Sequence, residues 1–501
     1  MKLTRILSVV MALLMLAACF TACGTPTDDP AQTTPKNTAS DVTEIETELT
    51  DWLPDDLNYE GDKIIILSRY REGWTSGEIA VKELISEPVN DAVYERNKAV
   101  EERLGVEIVS IEEHDDDPRV VVNKVANAVQ AGTHEYDVMA AACYAAVSQA
   151  LNGTFADLRG TEYLDFDKPW WSEGFNEVIE YGGAQYAVTG DVVLSLYRFA
   201  FVTIFNKNIF TDANQTFLYE YVENGTWTLD KQIELVPLFH KDNGNSLQDK
   251  EGDVYGLVSN DYISVDPYWS SCMVDIIKKN GDGEYEMVFK TDKLHSVCEK
   301  ALMLFYGCGD ATYNFKHEGM DDEQAYIRDM FADSYAAMAT VRIMELEAGS
   351  IRNMEDEFGV VPMPKFDEIQ KEYRTLLHDQ FTVLCVPNTV TGERLDEISA
   401  VMEAMASMSY KTVRPAYYET TLRTKIAQDP QSAEMFDLIV DNVYIDAGII
   451  YTNALSSFHD KFRVIMGTGK NTVASDYARL DKLMDKALSR MMAKLDKIAG
   501  N

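Results

Sequence analysis

Aromatic rings and carboxylates are the side chains this sequence offers most abundantly for chemistry: 6 Trp, 26 Tyr and 20 Phe beside 83 Asp and Glu. A site for sugars needs both, because a sugar presents flat C–H faces that Trp and Tyr rings cover and hydroxyl edges that Asp, Glu, Arg or Asn hydrogen-bond. Trp74, Tyr144, Asp191, Arg198, Tyr268, Trp269 and Arg342 are the candidates of these types, with Arg69 and Tyr70 close by in sequence to Trp74. For each the plainer alternative is a surface ion pair or a core ring.

Signatures of catalysis are missing. There is no GxSxG, no HExxH and no GxxxxGK[ST]. Gly467-Thr-Gly-Lys-Asn-Thr472 lacks the phosphate-loop spacing and reads as a turn before the last helix; His317-Glu318 lacks a second His. The 7 His are scattered, so no zinc site is expected. Glu112–Asp117 and Asp242–Asp253 are either Ca²⁺ loops or solvated acidic loops, and the second lacks the glycine that a Ca²⁺ loop needs at its sixth position. No metal and no cofactor is expected. With 83 carboxylates, chance acidic pairs are certain, so a glycosidase pair cannot be read from spacing.

The charge narrows the partners. Forty-five Lys and Arg against 83 Asp and Glu give 45 − 83 = −38, a surface that repels phosphate backbones and anionic lipid. Nucleic acid is therefore excluded as a partner. The chain's 501 residues, 46% of them apolar, are enough for two to four folding units.

Met1–Arg5 is a short cationic start, and Ile6–Phe20 is almost wholly apolar yet too short to span a bilayer comfortably. Residues 1–22 read as a signal peptide. Leu16-Ala-Ala-Cys19 and Phe20-Thr-Ala-Cys23 each resemble a bacterial lipoprotein box; Cys23, followed by Gly24, is the lipidation site expected here, with Cys19 as the alternative. Residues 23–54, rich in Thr, Pro, Asp and Ala, form a flexible tether. The membrane would then be touched through the lipid anchor only, on the extracellular face of the cell. Setting Cys19 and Cys23 aside, five Cys remain; Cys298 and Cys308 either bridge or stay as buried thiols.

Elements that position the candidates follow from patterning. Lys63–Ser68, Val106–Ile111 and Tyr136–Ala141 are short apolar runs expected as buried parallel strands. Between them, Pro88–Leu104 and a segment capped by Asp117 with Pro118 at its first turn carry apolar residues at helical spacing, and Gly105 and Gly132 end them. The alternation predicts an α/β domain whose ligands sit beyond the carboxyl ends of the strands, in the loops that begin at Ser68, at Ala142 and after Val188. Ser475–Ile498 reads as an amphipathic closing helix. Trp170-Trp171, after Pro169, reads as interlobe or core packing.

Six segments in order resemble the extracellular solute-binding proteins of ABC importers, family 1, the maltose type. They are Phe199–Phe210, Gly225–Asp230 (without the family's Pro), Gly252–Leu257, Met330–Met338, Phe358–Pro364 and Phe381–Pro387. Pro88–Asn97 and Pro415–Glu419 resemble a branch found in Clostridia-like Gram-positive bacteria. The resemblance implies a two-lobed, type II periplasmic-binding-protein-like fold, two mixed sheets flanked by helices around a central cleft. Lobe one would take 55–198 plus 381–425 and lobe two 199–380 plus 426–501. It also puts Arg198 just before the first crossover and Arg342 at a cleft-facing position.

Together these readings describe a monomeric, lipid-anchored protein that captures a small solute, a mono- or oligosaccharide, for ABC permease subunits by hinge closure. No bond is broken, so it is no enzyme. The other classes left open are a surface-tethered polysaccharide hydrolase and a two-lobe sensor without a transport role.

Overall fold

The computed structural model describes residues 50–245, 248, 252–316 and 322–500. The signal peptide, Cys19, Cys23, most of the tether and His317-Glu318 lie outside the described residues. Nine strands build two sheets: β1 Asp62–Arg69, β2 Val106–Glu113, β3 Val138–Ala142, β4 Phe201–Asn206, β5 Tyr255–Asn260, β6 Thr312–Phe315, β7 Ala336–Arg342, β8 Phe358–Val361 and β9 Thr382–Cys385. The first sheet has the order β9-β3-β1-β2, with β9 antiparallel to β3 and the rest parallel. In the second, ordered β8-β4-β7-β5-β6, β4 runs against both neighbours and β5 lies parallel to β7 and β6.

Local chemistry places these elements. Helix α1, Pro88–Leu104, starts where the Glu87 carboxylate accepts the Asn90 N–H at 2.7 Å, and it stops at Gly105 (φ 63°). The left-handed conformation favours glycine there, and a Cβ would in addition displace the Asn58 side chain, whose Oδ1 would stand 2.3 Å away. Helix α2, Arg119–Ala131, begins with Pro118 at its cap; Asp117 acts one residue earlier, its Oδ1 accepting the Arg119 N–H at 3.0 Å. Period-2 alternation splits β1 between two cores. Ile64 and Ile66 join Val100, Leu104 and Val138 under α1, whereas Leu67 belongs to a second cluster that continues through Phe199 and Phe201 into the core around Tyr255 and Phe358.

Two passes join the sheets side by side. Ala200 bridges Leu377, the His378 N–H reaches the Phe199 carbonyl at 3.0 Å, and the Thr382 N–H reaches the Ser195 Oγ at 2.9 Å. A third link follows helix α3, Glu393–Lys411, through residues 413–426 to the segment Pro430–Asp441. The last helix, α4, Val473–Ile498, touches both sheets' surroundings: Tyr477 packs on Phe289 and Phe458, while Asp496 accepts from the Tyr181 hydroxyl at 2.8 Å.

Trp170 and Trp171 serve the first core. Their indole N–H groups donate to the two oxygens of the fully buried Glu403 on α3, at 3.0 and 2.8 Å. Burial still outweighs these donors and pushes the Glu403 carboxyl up to about 7. The neutral form is thus favoured by folding: its contribution is full below the unfolded value of 4.5 and is lost as pH rises through about 7. Comparing the wild type with Glu403→Gln by urea unfolding, the stability difference should move against the wild type by about 3 kcal/mol between pH 4.5 and 8. A difference that stays constant with pH would show that Glu403 titrates normally.

All five described cysteines, Cys143, Cys272, Cys298, Cys308 and Cys385, are free thiols, and only Cys308 is not fully buried. Burial raises every one of them, Cys272 and Cys298 to about 12. A thiol reagent should therefore label at most Cys308 of these five in the native protein, and all five in denaturant. Fast labelling of a second one would contradict this packing.

Candidate functional site

β1 delivers Arg69, and the chain after it folds back tightly. The N–H groups of Trp74, Thr75 and Ser76 all point to the Arg71 carbonyl (3.0, 3.0 and 3.2 Å), and the Thr75 hydroxyl donates to the Arg69 carbonyl at 2.9 Å. Gly73 (φ 69°) makes the reversal possible. This turn sends Trp74 into the seam between the two sheets. There β7 ends in Arg342, and the return pass brings His378 and Asp379.

Trp74 is 8% exposed and crowded by charge. The Arg71 Cζ lies 3.7 Å and the Arg342 Cζ 4.2 Å from its ring centroid, both at cation–π distance. Phe199 and His378 meet the ring edge-on at 5.5 and 5.6 Å. An indole approached by guanidiniums from the first sheet's loop and from the second sheet's strand is a contact across the seam.

Several donors in this seam have no acceptor. Arg342 is fully buried and gives its Nη2 to Glu345 at 2.6 Å, leaving Nε and Nη1 without partners. Arg69, 4% exposed, reaches the Asp116 carbonyl with Nη2 at 3.5 Å, and again Nε and Nη1 are unpartnered. Apart from the seam, on the short helix Asp266–Ser271, the Trp269 Nε1 is also without an acceptor. A buried unpaired donor costs about 1–3 kcal/mol, and more when charged.

Electrostatics follow from burial and from the crowd of guanidiniums. Burial and then Arg71 bring Arg69 down to about 10. Burial, Arg342, Arg463, Arg69 and Arg71 all hold His378 well below the usual imidazole range, so its ring is neutral. Burial outweighs the attraction of Arg463 and lifts Asp379 to about 6. Arg463 in turn is held by Asp266, Nε to Oδ1 at 2.8 Å. Tyr144, half-buried and beside Asp379, is raised to about 12 by burial first.

Arg198 is fully engaged. Its Nε and Nη2 grip Glu347 at 3.0 Å each, Nη1 donates to the Trp74 carbonyl at 2.7 Å and Nη2 to the Gly73 carbonyl at 2.7 Å. It fastens the Trp74 turn to the segment after β7. A cavity of about 690 Å³ adjoins this clasp, lined by Tyr70, Glu72, His114, Arg198, Glu347 and Tyr417 among others.

The sequence candidates are therefore divided. Arg69, Trp74 and Arg342 meet in the seam with Tyr144 at its margin, and Arg198 braces it. Trp269 packs edge-on against Phe462 at 5.4 Å, on the short helix that begins with Asp266. Tyr268 lies in the second sheet's core, its hydroxyl 3.0 Å from that of Thr340. Asp191 lies apart, in another cavity of about 690 Å³ with Trp171, Tyr197 and Arg414, and burial lifts it to about 6. Sequence reasoning missed Arg71, His378, Asp379 and Arg463. Arg71 was within reach of it, two residues past the end of a strand; Arg463, on the helix Asp460–Thr468, carried no signal.

Among the described residues no group of three or more His, Cys, Asp or Glu is placed to hold a metal ion. No described helix is long and apolar enough to cross a membrane.

No protein-family model and no curated protein matches the chain. Solved structures do. An ABC substrate-binding protein from Listeria monocytogenes in complex with cycloalternan aligns at 13% identity over 88% of this chain and 99% of its own, with a TM-score of 0.52. The cyclic α-maltosyl-1,6-maltose-binding protein from Arthrobacter globiformis gives 12% identity, 88% and 99% coverage and a TM-score of 0.55. The galacto-N-biose/lacto-N-biose I-binding protein of the ABC transporter from Bifidobacterium longum, in complex with lacto-N-biose, gives 11% identity, 88% and 98% coverage and a TM-score of 0.55. At such identities the likeness is one of fold: the chain has the two-lobed, type II periplasmic-binding-protein-like fold, with two mixed sheets flanked by helices.

Proposed function

We propose that this chain is a lipid-anchored, extracellular solute-binding protein that hands a small carbohydrate to an ABC importer. The observation that carries the reading is the seam itself, where Trp74, Arg69 and Arg342 bring an indole and unclaimed donors together between the two sheets. Neighbours of the same fold are named as binding proteins for cycloalternan, for a cyclic maltosyl-maltose and for lacto-N-biose, which supports a saccharide as the guest.

The mechanism is hinge closure. Lobe one, 55–198 plus 381–425, and lobe two, 199–380 plus 426–501, turn about the passes near Ser195–Ala200 and Leu377–Thr382. A guest that touches Arg69 on one side and Arg342 on the other stabilises the closed form, and the permease reads that form. Cys23, or else Cys19, carries the lipid that keeps the receptor at the cell surface. The protein acts as a monomer and makes and breaks no bond.

A thermal-shift screen against mono- and oligosaccharides tests the reading, since a ligand of the native form raises stability by RT ln(1 + [L]/Kd). At least one saccharide at millimolar concentration should raise the transition, and X-ray scattering should show the particle contract with it. A panel without a single shift removes the carbohydrate, and sustained hydrolysis of any glycan removes the receptor.

A further inference from the structure

We infer that the solute is an acid-bearing saccharide, one that carries a carboxylate or a sulfate ester in addition to hydroxyls, and that Arg69 and Arg342 hold that acid group. This rests on the reading of the seam as the solute site. The juxtaposition behind it is specific: two guanidiniums, 4% and 0% exposed, supplied by opposite sheets, each with Nε and Nη1 lacking any acceptor.

The chemistry of these groups selects the guest. A guanidinium has five N–H donors, no acceptor, and keeps its charge at any physiological pH. Sugar hydroxyls can accept from it, but beside Arg69, which bonds no carboxylate of the protein, they leave the charge uncompensated in a place that water does not reach. An anionic oxygen answers both needs, through charge-assisted hydrogen bonds that are shorter and stronger than neutral ones.

The protein's own acids leave the position open. Glu345 occupies only Nη2 of Arg342. Asp116 offers Arg69 a main-chain carbonyl, while its carboxylate stands 3.9 Å from the Nε of Arg71. Asp379 is in electrostatic range of Arg69 without bonding it, and the charge that acts on it most strongly is that of Arg463. In a chain with a net charge of −38, Arg69 is buried with a main-chain carbonyl as its acceptor and no bonded carboxylate, and Arg342 keeps two donors without an acceptor beside its ion pair with Glu345. Arg198 and Arg463 show the contrast with Arg69, for Arg198 is held by Glu347 and Arg463 by Asp266 and Asp460.

Around the acid subsite the seam is suited to the remainder of a sugar. The Trp74 indole stands next to Arg342, an apolar neighbour for the C–H part of a sugar held there.

The test is a calorimetric panel on the purified wild-type chain at constant ionic strength. It pairs glucuronate with glucose and digalacturonate with galactobiose, and adds glucose 6-sulfate to separate carboxylate from sulfate. At least one acid sugar should bind 100-fold or more tightly than its neutral partner. Arg69→Gln and Arg342→Gln, checked for native circular dichroism, should each shrink that preference at least 10-fold. If a variant fails to fold, the wild-type panel still decides. A neutral sugar that binds as tightly as its acid counterpart overturns the inference and leaves the receptor reading standing. Absence of binding by every sugar in the panel overturns both. A strong acid preference that neither arginine variant diminishes overturns the assignment of these two residues.

Discussion

Arg198→Met should lower the unfolding free energy by about 3–5 kcal/mol, the range seen when one member of a buried ion pair is removed. Arg198 and Glu347 join through two bonds of 3.0 Å, and the same guanidinium holds the carbonyls of Gly73 and Trp74. Its loss leaves a carboxylate and two carbonyls unanswered in a site that is 7% exposed on the arginine side. Methionine keeps much of the side-chain volume, so the deficit is in polar pairing and not in packing. Urea unfolding measures it, with Arg490→Met on the exposed side of α4 as the control expected to stay within about 0.5 kcal/mol. A cycle with Glu347→Gln should be strongly non-additive because the two residues share one network. If Arg198→Met costs no more than the control, the clasp is not a structural element and the Trp74 turn is held by its own backbone bonds.

The same clasp shows what the sequence could and could not reveal. Strands β1 to β3 and helices α1 and α2 were legible because their signals are local: β-branched runs for buried strands, glycine stops, a proline at a first turn. α4 was legible from its amphipathic repeat alone. The candidate site was legible only in part. Arg69 and Trp74 were candidates because strand ends in parallel sheets face ligands, and Arg342 because a resemblance placed it at the cleft. That Arg198 would be consumed by Glu347, 149 residues away, has no local signature. Nor has the burial of Tyr268, which shares the helix Asp266–Ser271 with Trp269 yet turns to Thr340 in the sheet. His378, Asp379 and Arg463 converge through tertiary packing across more than 80 residues of chain, and spacing holds no record of that.

Trp74→Leu should weaken saccharide binding by about 100-fold, or about 2.7 kcal/mol. Beyond the proposed contact with a sugar face, Arg71 and Arg342 lie at 3.7 and 4.2 Å from the ring centroid, so the indole also fixes where the Arg342 guanidinium stands. Leucine keeps apolar bulk against Phe199 but offers no quadrupole to either cation, and Arg342 is then held by its bond to Glu345 alone. Two losses therefore add, the ring contact and the orientation of a donor from the other lobe. Trp171→Leu serves as the control, because that indole is spent on Glu403 in the first core and should cost stability without changing affinity. Calorimetry with the tightest saccharide from the thermal screen gives the ratio for each variant at a temperature where both are folded. Equal affinities for Trp74→Leu and wild type would move the binding site out of this seam, to the cavity bordered by Tyr70 and Tyr417, where Trp74 contributes no surface.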